Sequence, residues 1–199
     1  MPPAVTRKRH AELLSAAAGL FSARGYASAT VRDVAFELGL NNGSLYHYVA
    51  GKEDLLFQLL ARSRDGARAI LDEVATAPGL TPLERLDRYV RRQVAFMLEE
   101  FAMATIYCRD VERLSEPRRR EIIRAHNEHE RWLVGVIDAA RAAGELPDAL
   151  DPRAHSRCVF AVILSAHGFY RPGRDDPEVV AATCAALALG PAGASSATS

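Results

Sequence analysis

The sequence contains few cysteines, and their spacing excludes two kinds of stabilised fold. Cys108, Cys158 and Cys184 form an odd, widely separated set without a Cys-x-x-Cys pair. This pattern argues against a disulfide framework and against a structural zinc site, and it favours a reduced, cytoplasmic protein. The charged amino-terminal segment is followed by no apolar run of the kind that defines a signal peptide.

Long hydrophobic runs and strand-like alternation are also missing. Although 49% of the 199 residues are hydrophobic, no run approaches the ~20 apolar residues that a membrane span requires. The net charge is zero, which argues against a protein that coats nucleic acid through bulk positive charge. Alanine, leucine, arginine and glutamate are abundant, whereas alternating β-branched and aromatic runs are absent, so the sequence predicts an all-α fold.

One stretch, residues 30–56, predicts two short helices joined by a tight turn and followed by a longer helix. Thr30 precedes the first helix as an N-cap, and Gly39 ends it. The apolar face of that helix is formed by Val31, Val34, Ala35 and Leu38. Two short helices joined in this way, the second with a polar exposed side, form a helix-turn-helix.

The second short helix carries the candidate base-reading surface. Asn41 can cap it, and Leu45 and Val49 would face the core. Its outward side would carry Asn42, Ser44, Tyr46 and His47. Short polar side chains at the start of a helix in the major groove meet base edges, and Gly43 allows a close backbone approach.

The whole sequence predicts nine helices, of which the first runs from about Arg7 to Arg24 and the second and third are the two short helices described above. The fourth starts at Lys52 and continues to about residue 75. The fifth is opened by Thr81-Pro82, and a cap followed by proline also opens the eighth and ninth. The sixth and seventh are expected at about residues 101–114 and 116–143.

An ordered set of residues at the amino terminus is more specific than a lone helix-turn-helix pattern. The set comprises Phe21, Gly25, Tyr26, Thr30, Val34-Ala35, Gly39-Leu40, Gly43, Leu45-Tyr46, Lys52-Glu53 and Leu55-Leu56. It resembles the TetR family of bacterial transcriptional regulators. The sequence departs from the family pattern at Leu38, where alanine is usual, and at Val49, where phenylalanine is usual; both changes keep an apolar side chain.

The resemblance implies a three-helix head followed by a helical body. It implies a helix-turn-helix DNA-binding domain at residues 1–51 and a ligand-binding and dimerisation domain at residues 52–189. A disordered tail is expected at residues 190–199. The protein would be a repressor, released from a palindromic operator by a small, largely apolar effector, and would form a homodimer through helices eight and nine.

The resemblance also divides the DNA-binding residues by role. Phosphate contacts are implied for Thr30, Tyr46, His47 and Lys52, and such contacts position the protein without reading sequence. The alternative for the aromatic residues is ordinary packing within a small cluster. The side chains of Asn42, Ser44 and His47 are by their own chemistry suited to recognition of base edges, and Gly43 allows the backbone a close approach.

Helices five to eight concentrate aromatic, sulfur and histidine side chains where a small apolar ligand could bind. The candidate effector-binding residues are Phe96, Tyr107, His126, His129, Trp132, Phe160 and His167. The alternative is that these side chains fill an ordinary helical core. Two histidines at helical spacing lack a convincing third ligand, so we expect no metal and no other cofactor.

Two short motifs resemble a subgroup of the family that controls lipid, sterol or acyl-CoA breakdown. They are residues 82–86 and the segment His167 with Tyr170-Arg171-Pro172-Gly173. If an effector of this kind carries an acidic group, Arg109 or Arg171 is a candidate partner, because guanidinium groups suit carboxylates and phosphates.

The sequence shows no obvious nucleophile with a positioned acid–base partner, so we expect no enzymatic activity. The alternative function is a helical small-molecule-binding or enzyme-like protein with a vestigial DNA-binding head. The two hypotheses differ in whether the head binds DNA at all.

Overall fold

The computed structural model describes residues 4–190, except for the side chains of residues 4–7 and 42. Within these residues the chain forms nine α-helices, one short 3₁₀ helix and no strand, which confirms the expected all-α fold. No α-helix of this range is long and apolar enough to cross a membrane. Residues 191–199, which include nearly all of the tail that the sequence predicts to be disordered, lie outside the described residues. The helices are α1 (Ala4–Arg24), α2 (Val31–Glu37), α3 (Asn42–Leu45), α4 (Lys52–Thr76), α5 (Pro82–Glu99), α6 (Phe101–Asp110), α7 (Glu116–Ala142), α8 (Pro152–Phe169) and α9 (Pro177–Leu189).

The described chain divides into two compact units. Residues up to 64 together with residues 102–122 form the amino-terminal unit, and residues 65–101 together with residues from 123 onward form the second unit. Helices α4 and α7 therefore contribute residues to both units. Almost all of α6 belongs to the amino-terminal unit, together with the helix-turn-helix.

The amino-terminal unit is organised around apolar side chains from its helices. Leu13 and Phe21 of α1, Val34 of α2 and Leu45 of α3 are fully buried. They share one apolar cluster with residues of α4 and α6, namely Leu55, Leu56, Leu59, Leu60, Met103 and Ile106. Burial of these side chains gives this small unit its hydrophobic stabilisation.

The second unit has its own core. Helix α5 contributes Leu86, Tyr89, Val90 and Val94, all of which are buried. The same cluster contains residues of α7, α8 and α9, namely Leu133, Ile137, Val159, Ile163, Ala181, Cys184 and Ala185. Several of these are small, which allows close helix packing.

Helix starts follow the caps that the sequence predicts. Thr30 accepts a hydrogen bond from the Asp33 amide, and Asp33 accepts one from the Thr30 amide, which completes a capping box. The same reciprocal arrangement joins Thr81 and Glu84 at the start of α5. Such bonds satisfy amides that have no partner within the helix, so the caps confirm the predicted starts.

A close contact at Gly66, in the middle of α4, provides a test of packing in the second unit. A Cβ added at Gly66 would overlap the Phe96 ring, lying 2.9 Å from Cε2. Gly66→Ala should therefore lower the free energy of unfolding by about 1 kcal/mol or more. In a Phe96→Leu background, Gly66→Ala should raise the free energy of unfolding by up to about 1 kcal/mol, because alanine is a better helix former than glycine. Urea unfolding of all four proteins measures both effects. Equal effects in the two backgrounds would contradict the contact.

Candidate nucleic-acid interface and effector site

The turn between α2 and α3 is fixed by backbone geometry. Gly39 has a φ of 62°, a conformation that side chains disfavour. The Leu40 amide then donates to the Ala35 carbonyl at 2.9 Å, which closes the end of α2. The Asn41 side chain accepts a hydrogen bond from the Ser44 amide at 2.8 Å and so caps α3, as predicted.

Helix α3 presents one apolar and one polar side. Leu45 is 0% exposed and Val49 is 2% exposed, which confirms the predicted inward side. On the outward side, Gly43 and His47 are exposed and Tyr46 is 54% exposed, whereas Ser44 is half-buried. The backbone of Asn42 starts the helix, but its side chain lies outside the described residues.

Helix α3 is shorter than the pattern Leu45–Val49 suggests. Regular helix ends at Leu45, and residues 46–48 form a turn. The Leu45 carbonyl accepts hydrogen bonds from the Tyr48 amide at 2.9 Å and the Val49 amide at 3.3 Å. This turn still buries Val49, so Tyr46 and His47 keep the outward position that the sequence predicts.

Lys52 is held at the start of α4 by two contacts. Its Nζ donates to the Ala27 carbonyl at 2.9 Å and lies 4.5 Å from the centroid of the Tyr26 ring. Tyr26 in turn packs edge-on against Phe21, with ring centroids 5.4 Å apart. The ammonium is therefore held against the loop that joins α1 and α2. The sequence predicts that Lys52 lies at a helix start, but no sequence pattern predicts its contact with the Tyr26 ring.

The carboxylates that follow Lys52 have other partners. Glu53 accepts a hydrogen bond from the Ser115 amide at 3.0 Å, and this bonding lowers the pKa of its carboxyl. Asp54 accepts one from the Arg118 guanidinium at 2.7 Å. These contacts hold the start of α4 against the start of α7 within the amino-terminal unit.

The two arginines considered as acid-binding groups have structural partners. Arg109 donates to the carbonyls of Phe21 and Ser22 at the end of α1 and pairs with the buried carboxylate of Asp110 at 2.9 Å. Arg171 donates to the Gly168 and Tyr170 carbonyls at the end of α8. Both guanidinium groups thus stabilise helix C-termini, where cations are favoured.

In the second unit, four of the predicted effector residues lie in neighbouring aromatic contacts. His126 packs against Phe160 with ring centroids 4.3 Å apart and the ring planes tilted by 34°. Trp132 lies 4.9 Å from Tyr89, measured between centroids. The Tyr89 hydroxyl is 2.8 Å from Nδ1 of His129. Tyr89 therefore links His129 to Trp132.

The other three predicted effector residues lie elsewhere. Phe96 covers Gly66 of α4. His167 bonds through Nδ1 to the Leu164 carbonyl at 2.9 Å and contacts Phe101 at 6.5 Å between centroids. Tyr107 belongs to the amino-terminal unit, where burial raises the pKa of its hydroxyl.

The Tyr89–His129 pair is buried, and its protonation follows from that burial. Tyr89 is 1% exposed and His129 is 6% exposed. Burial raises the pKa of the Tyr89 hydroxyl, so the phenol keeps its proton. Burial, with added effects of Arg68 and His126, lowers the pKa of His129 to about 4. The protonated phenol and the neutral imidazole therefore share one hydrogen bond, between the Tyr89 hydroxyl and Nδ1 of His129.

Sequence reasoning missed Tyr89. A tyrosine beside Val90 on a helix gives no separate signal in the sequence. Periodicity identifies a buried face but not the polar partner of a hydroxyl on that face.

Comparisons with known proteins identify related regulators for both the amino-terminal and the carboxy-terminal part of the chain. Residues 13–59 match the family described as bacterial regulatory proteins, tetR family, and residues 79–191 match the tetracyclin repressor-like C-terminal domain. The HTH-type transcriptional repressor KstR2 of Mycobacterium tuberculosis (strain ATCC 25618 / H37Rv) is 32% identical over 174 residues, covering 83% of this chain and 82% of that protein. KstR2 of Rhodococcus jostii (strain RHA1) is 30% identical and covers 83% of this chain and 81% of its own length.

A solved structure agrees with these relatives. The structure described as the ketosteroid transcriptional regulator KstR2 of Mycobacterium tuberculosis has a TM-score of 0.84 and 30% identity to this chain. The match covers 91% of this chain and 93% of that one. Fold and sequence therefore indicate the same relationship over most of the chain.

Buried His129 predicts a pH-dependent stability. Its pKa of about 4 in the folded protein lies below the ~6.5 of an exposed histidine. Between about pH 6.5 and pH 4 the unfolded chain binds a proton that the folded chain does not bind. The free energy of unfolding should therefore fall as the pH falls, by on the order of 2–3 kcal/mol from this residue.

His129→Gln should remove that part of the pH dependence, because glutamine does not titrate. Urea unfolding of both proteins at about pH 7 and about pH 4.5 measures the difference. An equal loss of stability in the two proteins would show that His129 is not a buried neutral group.

Proposed function

The chain belongs to the TetR family of bacterial transcriptional regulators, and from this premise we propose that it is a repressor released from a palindromic operator by a largely apolar effector. The observation that carries the proposal is the surface of α3, where polar side chains lie outside the buried Leu45 and Val49. A helix of this kind fits the major groove of DNA, with its outward side chains at base edges.

Two roles are assigned to the residues of this surface. Thr30 caps the start of α2, and Lys52 is the first residue of α4; these two helices precede and follow α3 in the chain. Together with Tyr46 and His47, these residues bind DNA phosphates. The ammonium of Lys52 suits this role because two contacts restrict its position and it adds to the positive end of α4. Asn42, Gly43 and Ser44 lie at the start of α3 and read base edges.

The protein binds DNA as a homodimer. A single helix-turn-helix module offers less than the ~1,000–2,500 Å² of surface that specific binding typically uses. Two modules about one turn of DNA apart, ~34 Å, reach that area and require a palindromic operator. The dimer forms through α8 and α9, where Phe169, Val179 and Leu187 are 50%, 61% and 70% exposed. Large exposed apolar side chains of this kind mark an interface.

The effector binds in the second unit, beside Trp132, His126, His129 and Phe160. Aromatic side chains with a few polar groups are typical of small-ligand sites. A relative at 30% identity is described as a ketosteroid transcriptional regulator, which supports a ketosteroid or similar lipid-like effector for this chain. DNA binding is thus assigned to residues 1–51, and effector binding and dimerisation to residues 52–189.

Lys52 tests the phosphate-binding role. Lys52→Ala should weaken binding to all DNA sequences and lower the slope of log affinity against log salt by about 2 per dimer, because each protomer loses about one phosphate contact. Lys52→Arg keeps the charge and should keep the slope. Arg120→Ala removes an exposed charge of α7 (67% exposed) and should leave the slope unchanged. Fluorescence anisotropy with the upstream DNA of the gene provides the measurement.

Ser44 tests the reading role. Ser44→Ala should change which base is preferred within each half-site while leaving the salt slope near that of the unsubstituted protein. Selection from a randomised operator library measures this preference. If no DNA is bound at low salt while the second unit still binds a steroid, the alternative of a vestigial head is favoured.

Leu187 tests the dimer. Leu187→Arg places a charge in the α8–α9 surface and should yield monomers that bind the operator at least about tenfold more weakly, because one module loses the second half-site. Ile123→Arg is the matched control, since Ile123 is an exposed apolar residue of α7 (40% exposed). Analytical ultracentrifugation and anisotropy measure the two effects. A monomeric unsubstituted protein that binds the full operator tightly would contradict this interface.

A further inference from the structure

We propose that the groove between α1 and α2 is a contact surface for a second copy of this chain, and that dimers on neighbouring operators bind cooperatively through it. The inference goes beyond the proposed function but rests on it, because DNA brings the two copies together. The contact is isologous, so that Phe36 of each copy enters the groove of the other.

The first support is the exposure of Phe36 on α2. Its side chain is 88% exposed, the highest value among the large apolar side chains of the described residues. Val34 and Ala35 of the same helix are buried, so the Phe36 ring lies on the side of α2 that faces away from the core. A single exposed apolar side chain is common on protein surfaces, so the surroundings of Phe36 decide what it indicates.

Phe36 lines an open groove between α1 and α2 with a volume of about 480 Å³. Its other lining residues include Gly19, Ala23 and Arg24 of α1 and Asp33 and Glu37 of α2. The surface of α1 is uncovered at Gly19, since a Cβ added there would meet no atom within 4 Å. Phe36 thus lies beside a depression that can receive an aromatic side chain from another protein surface.

The second support is a pair of opposite charges at this groove. Arg24 ends α1 and Glu37 ends α2, and both side chains are exposed. Neither forms an ion pair or a side-chain hydrogen bond with any residue that the structure describes. The remaining carboxylate, Asp33, already accepts hydrogen bonds from Thr30. In an isologous contact each Arg24 meets Glu37 of the other copy, so one surface supplies both partners of two ion pairs.

The charge and shape of the groove exclude other classes of occupant. One guanidinium and two carboxylates give it a net charge of 1 − 2 = −1, which repels DNA phosphates and anionic lipid. A small apolar ligand would remain largely in water in this open groove, whereas small-molecule sites bury most of the ligand. A protein surface with one aromatic side chain and charges of both signs fits, and a second copy of this chain has all three.

The groove also remains accessible when the protein is on DNA. None of the residues assigned to DNA binding lines it. It involves far fewer residues than the roughly 20–30 per side of a stable interface, so the contact is too small to join two dimers in free solution. Neighbouring operators raise the local concentration of the two dimers, and a weak contact then becomes effective.

DNA that carries one or two copies of the operator tests the inference. The operator is the one selected from the randomised library, and the distance between its two copies is varied over about 21 bp, two turns of DNA. Quantitative footprinting measures the occupation of each copy. The unsubstituted protein should occupy two copies with roughly tenfold cooperativity at spacings that recur once per turn. A shift of half a turn should remove this cooperativity, because the two dimers then lie on different sides of the DNA.

Phe36→Ser tests the apolar part of the contact. It should lower the cooperativity from roughly tenfold to about onefold and leave the affinity for a single operator unchanged, because Phe36 is not assigned to DNA binding. Ile123→Ser is the matched control, since Ile123 is an exposed apolar residue of α7 (40% exposed). This control should keep the cooperativity of the unsubstituted protein.

Charge reversal tests whether the occupant is a second copy. Arg24→Glu and Glu37→Arg, each alone, place like charges opposite each other in the contact and should each remove the cooperativity. The double variant restores opposite charges and should recover most of it. Cooperativity is taken relative to the single-operator affinity of each variant, since a change of charge in the head also alters binding to DNA.

Three outcomes would overturn the inference alone, provided that a single operator is bound normally. They are an absence of cooperativity at every spacing, cooperativity that persists in Phe36→Ser, and a double charge variant that remains non-cooperative. Failure to bind even one operator would contradict the proposed function and this inference together, so the two kinds of failure are distinguishable.

Discussion

The polar surface of α3 depends on the burial of Leu45 and Val49 beneath it. These two side chains are almost completely inaccessible, and their burial leaves Tyr46 and His47 no position except the outward one. The capping bonds at Thr30 and Asn41 and the turn at Gly39 then set where α3 begins. The surface of α3 that we propose to read DNA is thus a consequence of apolar packing.

The second unit uses buried polarity in a different way. Burial of His129 in this core lowers its pKa and therefore costs stability as the pH falls. The hydrogen bond between its Nδ1 and the Tyr89 hydroxyl partly offsets the cost of burying two polar groups. The pair lies in a core that consists mainly of leucine, isoleucine, valine and alanine.

Much of the fold could be predicted because it is determined locally. Helix starts at Thr30, Thr81, Asp151 and Asp176 are determined by caps that lie within three residues of one another, and the apolar faces of α2, α4 and α5 repeat at helical spacing. The end of the short helix α3 is harder to predict from the sequence, because only the turn after Leu45 ends the helix. Long-range partners could not be predicted: neither the Lys52–Tyr26 contact nor the place of Tyr107 in the amino-terminal unit has a signature in spacing.

In the proposed mechanism, effector and operator bind to one protein and oppose each other. Reciprocal linkage tests this most directly: operator affinity is measured by anisotropy with and without the ketosteroid androst-4-ene-3,17-dione, and affinity for this ketosteroid is measured by Trp132 fluorescence with and without operator. Thermodynamics requires that the two ratios be equal, and we expect each ligand to weaken binding of the other by roughly 5–150-fold. If the protein binds both ligands but operator leaves the affinity for the ketosteroid unchanged, the proposal that this effector releases the repressor is wrong.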